Sequence, residues 1–460
     1  MAPKVAIIGL DCAEPTLVFD RWLDDLPALR SLTQTGLWGR LRSVDPPITV
    51  PAWSCLLTSR DPGELGLYGF RNRRDFSYDA LVTADARSVP VPRLWDLLGA
   101  AGKQVLLIGV PQTWPPFPVN GLLVSCFLTP DPRRHAYTYP EALRAEIEAL
   151  VGPYQVDVRH FRSEDRDRVL REVYEMTEQR FTVARHLLTT RPWDFFMMVE
   201  IGLDRLQHAF WRYCDPAHPR YEPGHRYAAV IHDYYQYLDE QIADLLALFD
   251  DETTVLVVSD HGALPMQGAV CVNEWLRRGG YLVLEAEPPG PVPLARAAVD
   301  WARTRVWGEG GYYCRLCLNV AGREPQGVVA PADYEPLRAD LIARLEALPG
   351  PEGRPLGTRV YRPEELWPVQ RRGVPPDLVV YFGNLAWRSN GSLGHGQLYR
   401  FENDTGPDDA NQGPEGLLVM RGPQIRAGRR DDLRLLDIAP TVLHCFGLPV
   451  PAGMRGRVIG

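Results

Sequence analysis

Short runs of β-branched and other apolar residues recur along the chain, and most of them end in a carboxylate followed by a turn. These runs are Val5 to Asp11, Phe195 to Glu200, Thr254 to Asp260 and Asp377 to Phe382. Continuous apolar runs of this length are typical of central strands in a sheet that is covered on both faces. The segments between them carry apolar residues at three-to-four spacing, which predicts helices and therefore parallel strand pairing. We predict an α/β fold with a central, mainly parallel sheet sandwiched by helices.

Proline and glycine clusters divide the chain into a core and an insertion. The clusters at 288–293 and 349–355 bracket a stretch with a helix and a strand-like run of its own. We predict a core formed by 1–270 plus 376–460, with a smaller insertion at about 130–190. An α+β cap is predicted over 271–375.

Composition and charge exclude several classes of protein. With 460 residues, 45% of them apolar and 23% charged, the chain resembles an average globular protein rather than a disordered one. A net charge of −8 without a long Lys/Arg block argues against a nucleic-acid patch or a membrane-surface patch. No apolar run approaches the roughly 18 residues of a membrane span.

The compartment is predicted from the cysteines and from the first residues. Eight cysteines scattered over a chain of this length favour free thiols over a disulfide framework. The first eleven residues lack the long apolar segment and the cleavage site of an export signal. We predict a cytoplasmic protein, and the sequence leaves its oligomeric state open.

Side chains that bind metal ions occur in four segments of the chain. They are Asp11, Thr49, the pair Asp204 and His208, and the pair Asp260 and His261. Carboxylates and neutral imidazoles bind Zn²⁺ and harder divalent ions, and a two-metal site needs such groups from several loops. Each segment alone also fits a plain structural role, such as a polar pair on one helix face or a threonine that caps a helix.

The order of these segments resembles the alkaline phosphatase superfamily, and most closely its type I phosphodiesterase/nucleotide pyrophosphatase branch. The resemblance rests on Ile8 to Asp11, Thr49 to Trp53 with Thr58 to Gly63, Asp204 to Trp211, Val258 to Gly262, and a closing block from Asp437 to Pro451. It implies an alkaline phosphatase-like fold and a metal-dependent phosphohydrolase.

The resemblance also implies two metal sites. Asp11, Thr49, Asp260 and His261 would form one, while Asp204, His208 and a downstream histidine would form the other. Where that histidine is expected the sequence has Gln412, and His395 is the nearby imidazole that would replace it. We expect two divalent ions, with Zn²⁺ or Mn²⁺ preferred and Mg²⁺ as the alternative. At the second site an amide oxygen from Gln412 would weaken the affinity for Zn²⁺ and favour a harder ion such as Mn²⁺ or Mg²⁺.

Thr49 is the expected nucleophile. Its hydroxyl is almost wholly protonated at neutral pH, and a divalent cation would stabilise the alkoxide without a neighbouring base. In-line attack on phosphorus would then form a phosphothreonine. Arg71 and Asn72 are predicted to bind the phosphoryl oxygens.

The expected substrate is a small phosphorylated molecule, with nucleotides among the candidates. Phosphodiester or nucleotide-pyrophosphate bonds are preferred over monoesters because the resemblance lies with the phosphodiesterase branch and because the sequence shows no dense cationic pocket for a dianion. A phosphomonoesterase and a phosphomutase stay open as alternatives, as does a lapsed member that binds phosphorylated ligands without turnover. A sulfatase is disfavoured, since Thr49 to Trp53 lacks a Cys-x-Pro-x-Arg signature.

Overall fold

The structure is a computed structural model that describes residues 3–402 and 404–460, so Met1, Ala2 and Asn403 lie outside the described residues. The α-helices are α1 (Pro27–Thr35), α2 (Thr49–Thr58), α3 (Pro62–Leu65), α4 (Leu94–Ala100), α5 (Leu143–Val151), α6 (Arg166–Thr190), α7 (Gly202–Cys214), α8 (Val230–Leu246), α9 (Val272–Arg278), α10 (Tyr334–Glu346), α11 (Pro363–Leu366) and α12 (Ile438–Cys445).

The strands are β1 (Lys4–Leu10), β2 (Leu37–Arg42), β3 (Arg71–Arg73), β4 (Leu81–Thr83), β5 (Val105–Ile108), β6 (Gly121–Val124), β7 (Thr138–Tyr139), β8 (Phe195–Glu200), β9 (Thr253–Val258), β10 (Gly262–Pro265), β11 (Gly268–Cys271), β12 (Val306–Glu309), β13 (Cys314–Leu318), β14 (Arg359–Tyr361), β15 (Leu378–Tyr381), β16 (Trp387–Asn390), β17 (Tyr399–Arg400), β18 (Ala410–Gly413), β19 (Glu415–Arg421), β20 (Gly428–Arg429) and β21 (Leu433–Arg434).

A ten-stranded sheet lies at the centre of the described part of the chain. Its strand order is β20, β2, β19, β9, β1, β8, β5, β6 and β7, and β21 also pairs with β2. The five strands from β9 to β6 are mutually parallel, whereas β19 and β7 run antiparallel to their neighbours. The prediction of a central, mainly parallel sheet is confirmed.

Helices cover both faces of this sheet, which explains why its central strands are apolar throughout. Successive side chains of a strand point to opposite faces. Ile8 of β1 lies in the core that α6, α7 and α8 complete, and its neighbour Ile7 lies in the core of α2, α4 and α12. Burial of such a side chain contributes about 1.5–3 kcal/mol. The carboxyl ends of β1, β8 and β9 are therefore held by well-packed strands.

A second sheet has the order β12, β13, β15 and β14 and is antiparallel. It shares a core with α10, in which Leu316, Leu341 and Val380 are buried. The prediction that 377–382 forms a central strand of the parallel sheet is wrong, because β15 belongs to this second sheet. A short apolar run that is buried on both faces has the same pattern in either sheet. The division into a core and a cap over 271–375 stays a prediction, and β15 lies just beyond that cap boundary.

The segment predicted as a smaller insertion at 130–190 contains α5 and α6. Helix α6 buries Val169, Val173 and Phe181 in the same core as α7 and α8, so this helix is one of the layers on the main sheet. No helix among the described residues is long and apolar enough to cross a membrane.

Candidate functional site

The predicted metal-binding groups meet at the carboxyl edge of the central strands. Asp11 follows β1, Asp260 and His261 follow β9, Asp204 and His208 lie in α7 just after β8, and Thr49 is the first residue of α2. All six side chains are at most 2% exposed. Because β8, β1 and β9 are neighbours in the sheet, their ends bring these groups together.

A residue in the left-handed backbone conformation connects the end of β1 to the end of β9 and to α7. Cys12, directly after Asp11, has a φ of 66°, which costs a residue with a Cβ roughly 1–2 kcal/mol. In this conformation its backbone N–H donates to Asp260 Oδ1 at 3.3 Å, and its carbonyl accepts from Gln207 Nε2 at 2.6 Å. The strained turn therefore links β1 to the β9 end and to α7.

Asp11, Thr49, Asp260 and His261 form the first cluster. Thr49 Oγ1 lies 3.4 Å from Asp11 Oδ1 and 3.2 Å from His261 Nε2. His261 Nε2 lies 3.4 Å from Asp260 Oδ2. The other ring nitrogen, Nδ1, donates to the carbonyl of Gly262 at 2.9 Å, so Nε2 directs its lone pair into the cluster.

The electrostatics of this cluster fit a divalent cation. Burial, reinforced by the charge of Asp204, raises the pKa of Asp11 to about 8, and burial raises the pKa of Asp260 well above its usual range. Burial lowers the pKa of His261 to about 4, so its imidazole is neutral. Asp260 Oδ2 is buried without a hydrogen-bond partner among the described residues. Ligand atoms of Asp11, Asp204 and His261 lie within 4.8 Å of one another, and a cation would supply the charge that these buried carboxylates lack.

His208, Asp204 and Gln412 form the second cluster. His208 Nε2 lies 3.3 Å from Asp204 Oδ1, and the Gln412 amide nitrogen donates to the same oxygen at 3.4 Å. Gln412 lies on β18, which pairs with β10 directly after His261. Its amide oxygen is buried without a partner among the described residues. The structure thus brings Gln412, one of the two candidates for the third ligand, to Asp204.

His395, the other candidate, contacts different residues. Its Nδ1 accepts from Arg400 at 2.9 Å, and its backbone N–H donates to Glu274 at 2.9 Å. Within the described residues, no hydrogen bond or ion pair joins its side chain to Asp204 or His208.

Asp408 is a site residue that the sequence analysis missed. His208 Nδ1 donates to Asp408 Oδ1 at 2.6 Å, which leaves Nε2 facing Asp204. Asp408 Oδ2 accepts from Arg162 Nε at 2.7 Å and also from Arg388. Burial alone would lower the pKa of His208, but the charges of Asp408 and Asp204 outweigh it and raise that pKa to about 10.

Trp53 is a second residue that the analysis did not assign. Its indole N–H donates to Asp11 Oδ2 at 2.8 Å and so fixes the orientation of that carboxylate. Trp53 lies four residues after Thr49 on α2 and therefore on the same helix face. Gly9 makes room for it, since a Cβ at Gly9 would lie 2.6 Å from the Trp53 ring.

Arg71 and Asn72, the predicted phosphoryl ligands, differ in availability. The side-chain oxygen Oδ1 of Asn72 accepts from the Tyr68 backbone N–H at 2.7 Å, and its side-chain nitrogen Nδ2 donates to the Gly69 backbone carbonyl at 3.0 Å. The side-chain amide of Asn72 therefore stabilises the loop of residues 68–72, and its contact with a substrate stays a prediction. Arg71 is exposed and lines a cavity of about 240 Å³.

This cavity contradicts the expectation that no dense cationic pocket exists. Its charged lining consists of Arg71, Arg162, Arg205, Arg315 and Arg388. These residues come from distant parts of the chain and form no basic run in the sequence. Only the fold brings them together.

All residues of the candidate site except Gln412 lie within one family match. A family model described as type I phosphodiesterase / nucleotide pyrophosphatase matches residues 5–408. The chain belongs to this family. It is a metal-dependent hydrolase of the phosphodiesterase/phosphatase class, as the sequence predicted. Among curated proteins, none matches the chain.

Solved structures show the same fold at low sequence identity. A phosphonoacetate hydrolase from Sinorhizobium meliloti 1021, in complex with phosphonoformate, is 16% identical with a TM-score of 0.60, covering 97% of this chain and 96% of that chain. Human ectonucleotide pyrophosphatase/phosphodiesterase 5 is 12% identical with a TM-score of 0.54, covering 98% and 97%. An inactive murine form of that protein, in complex with AMP, is 13% identical with a TM-score of 0.55, covering 98% and 96%. The alkaline phosphatase-like fold is confirmed.

Proposed function

We propose that this protein cleaves phosphodiester or nucleotide-pyrophosphate bonds of a small phosphorylated molecule, with Thr49 as the nucleophile. The observation that carries the proposal is the position of Thr49 Oγ1, 3.4 Å from Asp11 Oδ1 and 3.2 Å from His261 Nε2, at the start of α2. The phosphonoformate and AMP bound by the relatives support a small phosphorylated ligand.

Two divalent ions belong to the proposal, with Zn²⁺ or Mn²⁺ preferred over Mg²⁺. Asp11, Thr49, Asp260 and His261 would hold one ion. Asp204, His208 and Gln412 would hold the other, because His395 contacts Arg400 and Glu274 instead. When bound, the ions would lower the pKa of the Thr49 hydroxyl and neutralise charge on the phosphoryl oxygens.

The protein groups around Thr49 perform the remaining steps. After its proton passes to solvent, Oγ1 attacks phosphorus in line, the bond to the leaving oxygen breaks, and the leaving alcohol or phosphate departs. The phosphoryl group, still carrying its remaining ester substituent, is held as a phosphothreonine. The backbone N–H groups of Thr49 and Val50, at the start of α2, have no acceptor within the helix and can donate to phosphoryl oxygens, whereas Pro51 has no N–H. His261 is a weak base because its pKa is lowered to about 4 by burial, which favours a ligand role over proton abstraction. Water then attacks the same phosphorus, the bond between phosphorus and Thr49 Oγ1 breaks, and a phosphomonoester is released.

A phosphomonoesterase is the second candidate, and the arginine-lined cavity favours it because a monoester dianion needs positive charge. A comparison of bis-p-nitrophenyl phosphate with p-nitrophenyl phosphate, each with Mn²⁺, Zn²⁺ and Mg²⁺, separates the two. We expect the diester to give the higher kcat/KM with Mn²⁺ or Zn²⁺. A higher kcat/KM for the monoester would favour a phosphomonoesterase and contradict the proposed diesterase activity. No turnover with any of the three ions would favour a member that only binds phosphorylated ligands.

Trp53→Phe is expected to lower the affinity for divalent ions about tenfold, since it keeps the aromatic ring but removes a donor from a candidate ligand. Competition with a metal chelator measures this affinity. Trp95→Phe is the matched control, because the Trp95 indole N–H is buried without a partner among the described residues. Equal affinities of the two variants would contradict the role given to Trp53.

Gln412→His is expected to raise the Zn²⁺ affinity of the second site about tenfold, because imidazole is a better zinc ligand than an amide oxygen. Chelator competition with Zn²⁺ and with Mg²⁺ gives the measurement, and the gain should be confined to Zn²⁺. An unchanged Zn²⁺ affinity would show that Gln412 does not face the second ion.

A further inference from the structure

The arginine-lined cavity borders the reacting groups on several sides. Ile48, in its wall, directly precedes Thr49. Arg205, also in the wall, donates to Asp204 Oδ2 at 2.6 Å. The hydroxyl of Tyr312 lies 3.5 Å from His208 Nε2. The cavity therefore lies next to the candidate site, although Thr49, Asp204 and His208 are not part of its lining.

The arginines that line this cavity outnumber the ones that are paired with carboxylates. It contains five arginines and no carboxylate. Arg162 and Arg388 share Asp408 as their carboxylate partner, and Arg205 is the arginine that pairs with Asp157 and Asp204.

Arg71 and Arg315 supply the part of this charge that is not held in ion pairs; Glu309, the cross-strand neighbour of Arg315, is not in the cavity lining. Within the described residues, neither makes an ion pair. Arg315 Nη1 donates to the Arg71 backbone carbonyl at 2.6 Å, which joins β13 to β3 at the cavity wall. Two guanidinium groups in one wall without a carboxylate are a binding surface for an anion.

Aromatic side chains hold the inner guanidinium groups in place. Arg162 and Arg205 lie over the Phe161 ring at 4.6 Å and 4.3 Å from its centre, and Arg388 lies over Tyr312 at 4.4 Å. Stacked guanidinium groups lose little freedom when they bind a planar anion. The cavity volume of about 240 Å³ is that of several water molecules, which is enough space for a short acidic group.

We propose that this cavity binds a second anionic group of the substrate, a carboxylate or a phosphate, so that preferred substrates are phosphoesters or phosphonates carrying an anion beyond the reacting phosphorus. The guanidinium fork matches the paired oxygens of either group. This inference rests on the proposed function for the reaction itself and adds the class of substrate.

Calorimetric titration of the Mn²⁺-loaded protein tests the proposal with two ligands that differ in one group. 3-Phosphonopropionate carries a carboxylate where propylphosphonate has a methyl group. We expect the wild-type protein to bind the first about tenfold more tightly, the gain typical of a charge-assisted hydrogen bond. 1,2-Ethylenediphosphonate, in a third titration, distinguishes a preference for phosphate from one for carboxylate. Equal affinities for all three would overturn the proposal.

Arginine variants test whether the binding preference for the second anionic group depends on Arg71 and Arg315. The double variant Arg71→Gln with Arg315→Gln should bind 3-phosphonopropionate and propylphosphonate within about twofold of each other, because it removes the uncompensated charge. Arg359→Gln, on β14 of the same small sheet and exposed, is the matched control and should keep the wild-type preference. Each single variant should give an intermediate preference, which guards against a double variant that folds poorly. A preference that persists in well-folded Arg71 and Arg315 variants would contradict the proposal.

The outcome is separable from that of the proposed function. Diester turnover without any preference for the second anion would overturn only the cavity proposal. A clear binding preference without turnover of any ester would leave the cavity assignment standing and remove the hydrolytic one.

Discussion

The Thr49→Ala protein is expected to lose diester hydrolysis, with kcat reduced by about 10⁴-fold or more, the range found when a covalent nucleophile is removed. The variant removes the oxygen that lies 3.4 Å from Asp11 Oδ1 and 3.2 Å from His261 Nε2, and it leaves the carboxylates and imidazoles in place. We expect it to fold and to bind divalent ions. Steady-state kinetics on bis-p-nitrophenyl phosphate and metal analysis of the same sample give both quantities.

Thr58→Ala is the matched control for this variant. Thr58 lies at the other end of α2, is also buried, and donates its hydroxyl to the Ser54 carbonyl at 2.8 Å. The substitution deletes the same atoms from the same helix, so kcat should stay near that of the wild type. A metal-loaded Thr49→Ala protein that keeps more than about a hundredth of the wild-type kcat would exclude Thr49 as the nucleophile.

The Asp260→Asn protein is expected to bind one divalent ion fewer per chain and to lose about 10³-fold or more in kcat, because it replaces a charged ligand by a neutral group of the same shape. Its metal-free form should be at least as stable as the metal-free wild type. Burial raises the pKa of Asp260 well above its usual range, and its Oδ2 has no hydrogen-bond partner among the described residues, so the negative charge contributes no stability without a cation. The side-chain oxygen of Asn can still accept from the Cys12 backbone N–H, as Asp260 Oδ1 does.

Scanning calorimetry with and without Mn²⁺ separates these effects. An ion present at 100 times its Kd stabilises the wild type by about 2.7 kcal/mol per site, and the variant should lose this increment for one site. Asp239→Asn is the contrasting control, because Asp239 accepts from the backbone N–H groups of Ala28 and Leu29 at 2.8 and 2.9 Å and, among the described residues, makes no hydrogen bond or ion pair with a candidate ligand. It should lower the stability of the metal-free protein and leave the Mn²⁺ increment unchanged. The opposite pattern would contradict a metal role for Asp260.

The part of the site that sequence reasoning could predict is the part carried by local patterns. Asp11 and Asp260 each close a run of buried strand residues, and Asp204 and His208 share one turn of a helix. Pro51, two residues after Thr49, is compatible with a helix that begins at Thr49, and the structure begins α2 there. These signals lie within a few residues of the groups that they identify.

The residues that were missed act through contacts between distant segments. Arg162 and Asp408 lie 246 positions apart, and Tyr312 and His208 lie 104 apart. Nothing in the surrounding sequence of either pair indicates its partner. Trp53 is different, because it lies only four residues after Thr49 and shares a face of α2 with it, so a local helical pattern could have identified it.

The misplaced strand has a similar cause. β15 is apolar on both faces, as central parallel strands are, but it is buried between β13 and β14 of the antiparallel sheet. A local apolar pattern predicts that a strand is buried, but it does not predict to which sheet the strand belongs. The same limit applied to the cationic cavity, whose arginines are separated by long stretches of chain.

The stereochemical course of hydrolysis tests the central claim most directly. A chiral phosphorothioate diester is hydrolysed in ¹⁸O-labelled water, and the configuration at phosphorus in the product is determined. Attack by Thr49 followed by attack of water inverts phosphorus at each step, so we predict net retention of configuration. Net inversion would mean that water attacks the substrate directly, and it would contradict a phosphothreonine on Thr49.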